Sequence, residues 1–556
     1  MTDFTKEGIY FLPLGGADNI GMNMYVYAVN GKMIVVDAGY GFLLDYPGME
    51  MAYAAPDFFD EHQNDILGLF ITHAHEDHLG AIAQIWPHLQ CPVYAMDFTI
   101  GLIKERLNEF KMADQVPLIS VNQSRNVILP NFNVEFISVA HSVPQTCALA
   151  IRTKYGNVLH ATDWRFDDEA LSMLPTDYTA LKKFANEGVS LFVCDSTNVM
   201  LDRETPTEAD VRKNLIRLIP TIEGGIVVTC FASNMMRLES LLLAAEAAGR
   251  TPVLLGRSLS TCVRIAKECG YLNNVPQACS IEAGKDIPSD KALYICTGSQ
   301  ANYRSAMSLI ANGENKYVKL DKTDTVIFSS KLIPGNEDKV ERMQEKMIEQ
   351  GATIITGETD LVHASGHACK EDLKKMYDLI KPAIVLPVHG DKRFIREHKR
   401  FALACGINEV FSARNGDVCL LKDNHINLED KVSTDILGWD RSHAVSLSSQ
   451  VIKNRRRIAY NCSMYISAVI KNKKLLDIGV ISADILNEEE WNNLVADILS
   501  KVRPLIEEKI STTDNRSQIE DFIRGQIRRR VFAATDIKPV TMLYISYLDE
   551  YADLQK

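Results

Sequence analysis

The sequence predicts an α/β protein of more than one domain, on three observations. Several short apolar runs each end on a ligand-type polar residue. From about Thr207, helical patterns alternate with apolar runs. The last hundred residues repeat the strand and helix signals as a small unit of their own. At 556 residues two or three domains are expected. A hydrophobic content of 46% with 24% charged residues is ordinary globular composition.

Residues 9–40 alternate apolar strands with glycine turns. Leu14-Gly15-Gly16 closes one, and Asn30-Gly31 between Val29 and Met33 is a hairpin signal. The run Ile66-Leu67-Gly68-Leu69-Phe70-Ile71 reads as a buried strand. It leads into Thr72-His73-Ala74-His75-Glu76-Asp77-His78, after which Ala81-Ile82-Ala83 opens a helix. Three of the chain's 13 histidines and a ligand-type Asp thus share six positions, too dense for chance. They sit at a strand's C-terminal end, where α/β folds place sites. Imidazole and carboxylate are what Zn²⁺ or Mn²⁺ binds when it must stay hydrolytically active. His73 and His75 alternate, so an extended loop points both to one side. Asp77 and His78 can address a second ion. This HxHxDH spacing resembles the signature of the metallo-β-lactamase superfamily.

Four later apolar runs also end on ligand types: 136–140 at His141, 157–162 at Asp163, 191–194 at Asp195 and 383–388 at His389. Core packing alone does not place four such ends, so one sheet or a stacked pair should converge on one site. In the middle third, the runs at 225–230, 252–255 and 292–296 between helical patterns indicate a βαβ parallel-sheet domain. Two of its strands open into Phe231-Ala232-Ser233-Asn234 and Gly256-Arg257-Ser258. Hydroxyls, helix-start N–H groups and an Arg suit a phosphate; alone these loops are weak signals, and a helix cap is the commoner explanation for each Ser. In the last unit, 463–470 and 541–545 read as strands. Asn487 with Glu490 resembles a capping box. Helical spacing follows at Trp491, Leu494, Ile498, Val502 and Leu505, then at Ile519, Phe522, Ile523 and Ile527.

The net charge of −12 argues against a surface that is one large polyanion trap. The basic runs at 453–457 and 524–530 read equally as solvated helix faces. No apolar run reaches membrane-spanning length. The 12 scattered cysteines include no CxxC pair, so free thiols in a reducing cytoplasm are expected, and cysteine ligation of metal is not.

Along nearly its whole length the chain resembles the ribonuclease J family, the β-CASP branch of the metallo-β-lactamase nucleases. The runs that carry the resemblance, beside HxHxDH, include Val36-Asp37-Ala38-Gly39, Ala140-His141-Ser142-Val143-Pro144, Asp195-Ser196-Thr197-Asn198, Thr297-Gly298-Ser299-Gln300, Ile333-Pro334-Gly335-Asn336-Glu337, His363-Ala364-Ser365-Gly366-His367 and Pro387-Val388-His389-Gly390-Asp391. Asn19, Gln145, Ala301-Asn302-Tyr303 and Asp391 depart from the family's usual residues; none is a ligand. The resemblance implies a metallo-β-lactamase αββα sandwich with an inserted β-CASP parallel-sheet domain and a small C-terminal α/β domain. The boundaries expected are 1–206 for the first part of the metallo-β-lactamase domain, 207–350 for β-CASP and 351–430 for the returning part. A linker over 431–460 and a C-terminal domain over 461–556 complete the chain.

Combined with ligand chemistry, the resemblance implies two divalent ions, Zn²⁺ first, with Mn²⁺ or Mg²⁺ as alternatives. His73, His75 and His141 would hold one, and Asp77, His78 and His389 the other. Asp163 would bridge them, and Asp37 would orient a ligand imidazole or serve as a turn residue. Such a pair acidifies a water and neutralises developing charge, which makes Asp77 catalytic as well as a ligand. His367, its ring held by Asp195, is placed to protonate the leaving 3′-oxygen. Ser233, Asn234, Arg257, His363 and Ser365 are candidates for a pocket that holds a 5′-monophosphate. The expected activity is 5′→3′ exonuclease plus endonuclease cleavage of single-stranded RNA, in maturation and decay. Small-ester hydrolysis is disfavoured by the long insertion between Asp195 and His367, and a non-catalytic RNA-binding relative by the filled ligand positions. A homodimer or homotetramer, RNA-decay or ribosome-associated partners, no membrane and a cytoplasmic location are the remaining expectations.

Overall fold

The computed structural model describes residues 2–548 other than 44, 45, 170, 172, 334 and 484; Pro334 of the Ile333–Asn336 run and the final eight residues lie outside this range. The described residues form two compact units. One holds most of the chain up to Ile436, and the other holds 46–50 with the described residues from Leu437 onward.

In the larger unit two sheets face each other. The first has eight strands, in the order His425–Lys431, Asp417–Lys422, Ile9–Gly15, Met24–Val29, Lys32–Val36, Ile66–Phe70, Val93–Ala95 and Leu118–Ser120. The second has seven: Glu409–Val410, Ile384–Val388, Leu191–Asp195, Gly156–Ala161, Cys147–Thr153, Phe132–Ser138 and Asn126–Leu129. Phe11, Tyr25, Val36 and Phe70 of the first meet Phe136, Leu149, Val158, Leu191 and Leu386 of the second in one core. The period of two divides each central strand. Leu191 and Val193 enter that core, while Phe192 and Cys194 face Leu373, Met376 and Tyr377 beneath an outer helix. A strand covered on both faces must be apolar throughout, which is why 191–194 reads as an unbroken run.

The inserted domain is a six-stranded, wholly parallel sheet, in the order Cys279–Ser280, Thr251–Leu255, Ala292–Cys296, Ile226–Thr229, Thr325–Phe328 and Thr353–Ile355. The helices Met235–Ala247 and Arg257–Glu268 follow Ile226–Thr229 and Thr251–Leu255 along the chain, as a βαβ layout requires. Arg237 fastens this domain to the rest. Its guanidinium is fully enclosed and pairs with equally enclosed Glu208 at 2.9 Å. It also donates to Ser329 O at 2.8 Å and Val362 O at 2.9 Å. One buried cation thereby sets the entry of the loop that runs from His363 to His367.

In the smaller unit Lys474–Ala483, Ser463–Lys471 and Val540–Tyr547 form one sheet, and the helices Glu488–Thr512 and Arg516–Thr535 pack on it through Ile498, Val502, Ile523 and Ile527. The hairpin partner at 474–483 was not expected; its charged start, Lys473-Lys474, conceals it. Residues 431–460, expected as a linker, instead carry the strands Ile436–Asp440 and His443–Ser446 and the helix Gln450–Asn461. Burial of Ile452 and an Arg455–Asp440 ion pair hold that helix, so part of the 453–457 basic run has a structural role. Among the described residues the 12 cysteines form no disulfide.

Arg237→Met should leave Glu208 buried without its cation and cost about 3–5 kcal/mol. The measurement is the urea midpoint of unfolding; an unchanged midpoint would refute the role given to the pair.

Candidate metal centre

Every ligand-type residue anticipated from the strand ends arrives at one edge of the second sheet. Parallel pairing aligns Ala161 with Cys194 and Asp195 with Val388, so Asp163, Asp195 and His389 emerge side by side. His141 follows Phe132–Ser138 on the same sheet, and the 73–78 loop comes across from the end of Ile66–Phe70 on the other. Two of the backbone positions are unusual. Asp37 has φ of 62° and His389 φ of 54°, the left-handed region that costs an ordinary residue about 1–3 kcal/mol. Two glycines are required by close approach. A Cβ on Gly39 would lie 1.7 Å from Asp77 O, and one on Gly366 would lie 2.6 Å from the His141 ring.

Two overlapping sets of donors result. His73 Nε2 and His141 Nε2 each lie 3.1 Å from His75 Nδ1. Imidazoles bound tetrahedrally at about 2.0–2.1 Å have nitrogens roughly 3.4 Å apart, so this spacing fits an ion. Asp163 Oδ2 is 3.3 Å from His141 Nε2 and 3.6 Å from His73 Nε2, while its Oδ1 is 3.1 Å from His78 Nε2. Asp77 Oδ2 is 3.1 Å from His389 Nε2 and 3.6 Å from His78 Nε2. Asp163 therefore faces both sets, one oxygen to each. That Oδ1 is buried without a well-aligned hydrogen bond among the described residues, as a ligand atom would be.

The outer nitrogens fix the tautomers. His78 Nδ1 donates to Asp37 Oδ2 at 2.7 Å, and His141 Nδ1 to Gly366 O at 2.6 Å, so both Nε2 lone pairs point inward. Asp37 also accepts from Thr72 N at 2.8 Å, which ties the metal-loop backbone to the same carboxylate. Burial holds His73 and His141 well below the usual imidazole range and brings His75 down to about 4, leaving them neutral, the form that binds metal. Burial opposes charge on His78 and His389 too, but Asp163 and Asp77 outweigh it and raise both, His389 to about 10. This half of the site favours positive charge, as a cation site should.

His367 is the next side chain along. Its Nδ1 donates to Asp195 Oδ2 at 2.8 Å. Burial alone would raise the Asp195 carboxyl, but His367 and His389 hold it below its ordinary value. His75 and Asp163 of the first set, Asp77 and His389 of the second, and His367 line a cavity of about 970 Å³ whose opposite wall comes from the inserted domain.

Three family models match the chain: the metallo-β-lactamase superfamily over residues 20–193, the β-CASP domain of ribonuclease J over 223–347, and the RNA specificity domain of Zn-dependent metallo-hydrolases over 357–408. The chain is 33% identical to the ribonuclease J of Sinorhizobium meliloti over 97% of both chains. It is 30% identical to that of Helicobacter pylori J99 over 95% of this chain and 78% of the other. The chain belongs to the ribonuclease J family. A solved structure of a protein of unknown function from Enterococcus faecalis has the same fold, with a TM-score of 0.54 at 17% identity; the match covers 74% of this chain and all of that one. Family membership makes the protein a metallo-hydrolase nuclease that acts on RNA, and no described helix is long and apolar enough to cross a membrane.

Of the five residues anticipated for a phosphate pocket of this ribonuclease J relative, Ser233, Arg257, His363 and Ser365 line the cavity. Asn234 does not. It is buried, and its Oδ1 accepts from Arg237 N to cap the helix Met235–Ala247. The cap explanation wins at this position because four helix-start N–H groups need acceptors. Sequence reasoning missed Asn23, Thr197, Asn198 and Lys331. Asn23 Nδ2 donates to Asp77 O at 3.0 Å, and Thr197 Oγ lies 3.0 Å from His389 Nδ1. Asn198 donates to Ser365 Oγ and to His367 O, both at 2.9 Å. Asn198 follows Asp195 closely enough to have been suspected, whereas Lys331 is one of 60 basic residues and carries no local signal.

Asp163→Ala should remove bound metal and cleavage together while the far-UV circular dichroism is kept. Asp37→Asn should weaken zinc affinity about 10–100-fold in chelator competition. Fully active protein with less than about one metal ion per chain would overturn the two-ion arrangement.

Proposed function

We propose that this centre hydrolyses RNA phosphodiesters as a 5′→3′ exonuclease with a preference for 5′-monophosphate ends, and that it also cuts internally. The observation that carries this is the single cavity: His75, Asp77, Asp163 and His389 of the ligand sets, His367, and a wall with Ser233, Arg257 and Ser365 all line it. Two divalent ions, zinc by ligand type, would supply an acidified water and charge neutralisation at the phosphorus.

The chain's own groups do the rest. Asp77, His78 and His389 on one side and His73, His75 and His141 on the other would hold those ions, with Asp163 facing both sets, and so set where the reacting phosphate lies. His367 carries the proton for the leaving 3′-oxygen on its Nε2, because Nδ1 is committed to Asp195. Thr197 N donates to Asp195 Oδ1 at 2.8 Å and keeps that carboxylate aimed at the ring. Phe42, half exposed at the cavity, offers a face on which an unpaired base can stack, which favours single-stranded RNA. Ser233, Arg257, His363 and Ser365 supply hydroxyls, a ring and a cation for a terminal monophosphate; a triphosphate is longer and more charged than such a pocket takes. A cytoplasmic enzyme that assembles as a homodimer or homotetramer completes the reading, on family likeness.

His367→Ala should lower turnover about 10²–10⁴-fold with metal content unchanged; metal loss in step with activity would make His367 a ligand instead. Arg257→Ala should cost about 1.5–3 kcal/mol in the exonuclease rate on monophosphate ends and less in internal cleavage. Equal loss of both would place the pocket elsewhere.

A further inference from the structure

Lys331 stands out among the cations of the cavity. Arg106 is matched by Glu76 and Glu109, and Arg257 and Arg304 are exposed. Lys331 lines the same cavity but is largely withdrawn from solvent, and among the described residues no carboxylate lies within ion-pair distance of it. Burial lowers the pKa of its amine, and of the site's carboxylates it is Asp195 whose charge works in the other direction. Its ammonium donates to Asn198 Oδ1, and the Asn198 amide holds Ser365 Oγ and His367 O. An ammonium has three donors, and this one spends one of them. A half-buried charge with unused donors is costly unless an anion completes it. Close by, His363 Nε2 is buried and makes no hydrogen bond among the described residues, so a second polar group of this wall is also unsatisfied.

We propose that Lys331 is the fixed cation that holds the 5′-terminal phosphate of the RNA, a specificity-determining residue tied through Asn198 to the loop that carries the acid. The assignment rests on the exonuclease reading above and deepens it. Its direction follows from bond order. In 5′→3′ trimming the leaving 3′-oxygen belongs to the terminal nucleotide, so that nucleotide and its 5′-phosphate lie on the side of His367, the acid. Lys331 is fastened to that same loop and sits under the influence of Asp195. The reacting phosphate, by contrast, belongs at the ions that Asp77, Asp163 and their histidines would hold. Lys331 and Arg257 would thus approach one phosphate from different elements of the inserted domain. The neutral Ser365 hydroxyl, held by Asn198, completes the grip.

The test uses the metal-loaded full chain and one oligoribonucleotide prepared with a 5′-monophosphate or a 5′-hydroxyl. The ratio of kcat/KM values for the two ends measures recognition of the phosphate. Lys331→Met should shrink that ratio roughly 10–100-fold, the range for a lost charge-assisted hydrogen bond, and Lys331→Arg should retain most of it. Inhibition by a nucleoside 5′-monophosphate should weaken in step, while inhibition by the nucleoside should not change. Lys331→Gln, nearer in polarity, serves if the Met variant melts early. If the parent prefers monophosphate ends and Lys331→Met keeps that preference, or slows both substrates equally, the lysine assignment is wrong and the exonuclease reading stands. A parent with no preference would bring down the exonuclease reading, and the lysine assignment with it.

Discussion

Asp163 is the residue on which the rest of this architecture depends. A single carboxylate, buried at the end of a central strand, faces imidazoles on both sides: His73 and His141 through one oxygen, His78 through the other. Such an arrangement is stable only if the surrounding chain is held rigidly, because unpaired charge in a dry interior is expensive. The sheet supplies that rigidity. Parallel register carries Asp163, Asp195 and His389 to one edge, and the two-sheet core beneath them has no freedom to shift one strand without the others.

Around that carboxylate the supporting bonds have one style. Asp37 takes the outer nitrogen of His78 and the backbone of Thr72; Gly366 takes the outer nitrogen of His141; Thr197 meets the outer nitrogen of His389. Each fixes a ring by the atom that does not face the centre. The strained backbone at Asp37 and His389 belongs with this pattern, since both residues turn sharply at a strand end to present a side chain that an extended continuation would misdirect. Arg237 does the same on a larger scale. By binding Glu208, Ser329 and Val362 it couples the inserted domain to the 363–367 loop, so the cavity wall from that domain and the position of His367 are set by one buried ion pair.

The sequence alone specified the chemistry of the centre. HxHxDH and the strand ends at His141, Asp163, Asp195 and His389 were legible because ligand residues must follow apolar strands closely, and both signals are local. The parallel inserted sheet was legible for the same reason: apolar runs and helical periods alternate along the chain. The second strand of the C-terminal hairpin and the folded 431–460 segment were not. Charged, weakly alternating stretches become strands or helices only when a partner pairs with them, as Asp440 does with Arg455.

Tertiary structure alone decided which polar residues serve the site. Asn234 and Ser233 are neighbours with short polar side chains, yet one caps a helix and the other lines the cavity. Lys331 is indistinguishable from other lysines until the fold sets its half-buried ammonium against Asn198, far from it in sequence. Residue type and spacing determine what a side chain can do. Burial and partners, which depend on contacts across hundreds of residues, determine what it does, because the cost of an unsatisfied charge exists only once water has been excluded.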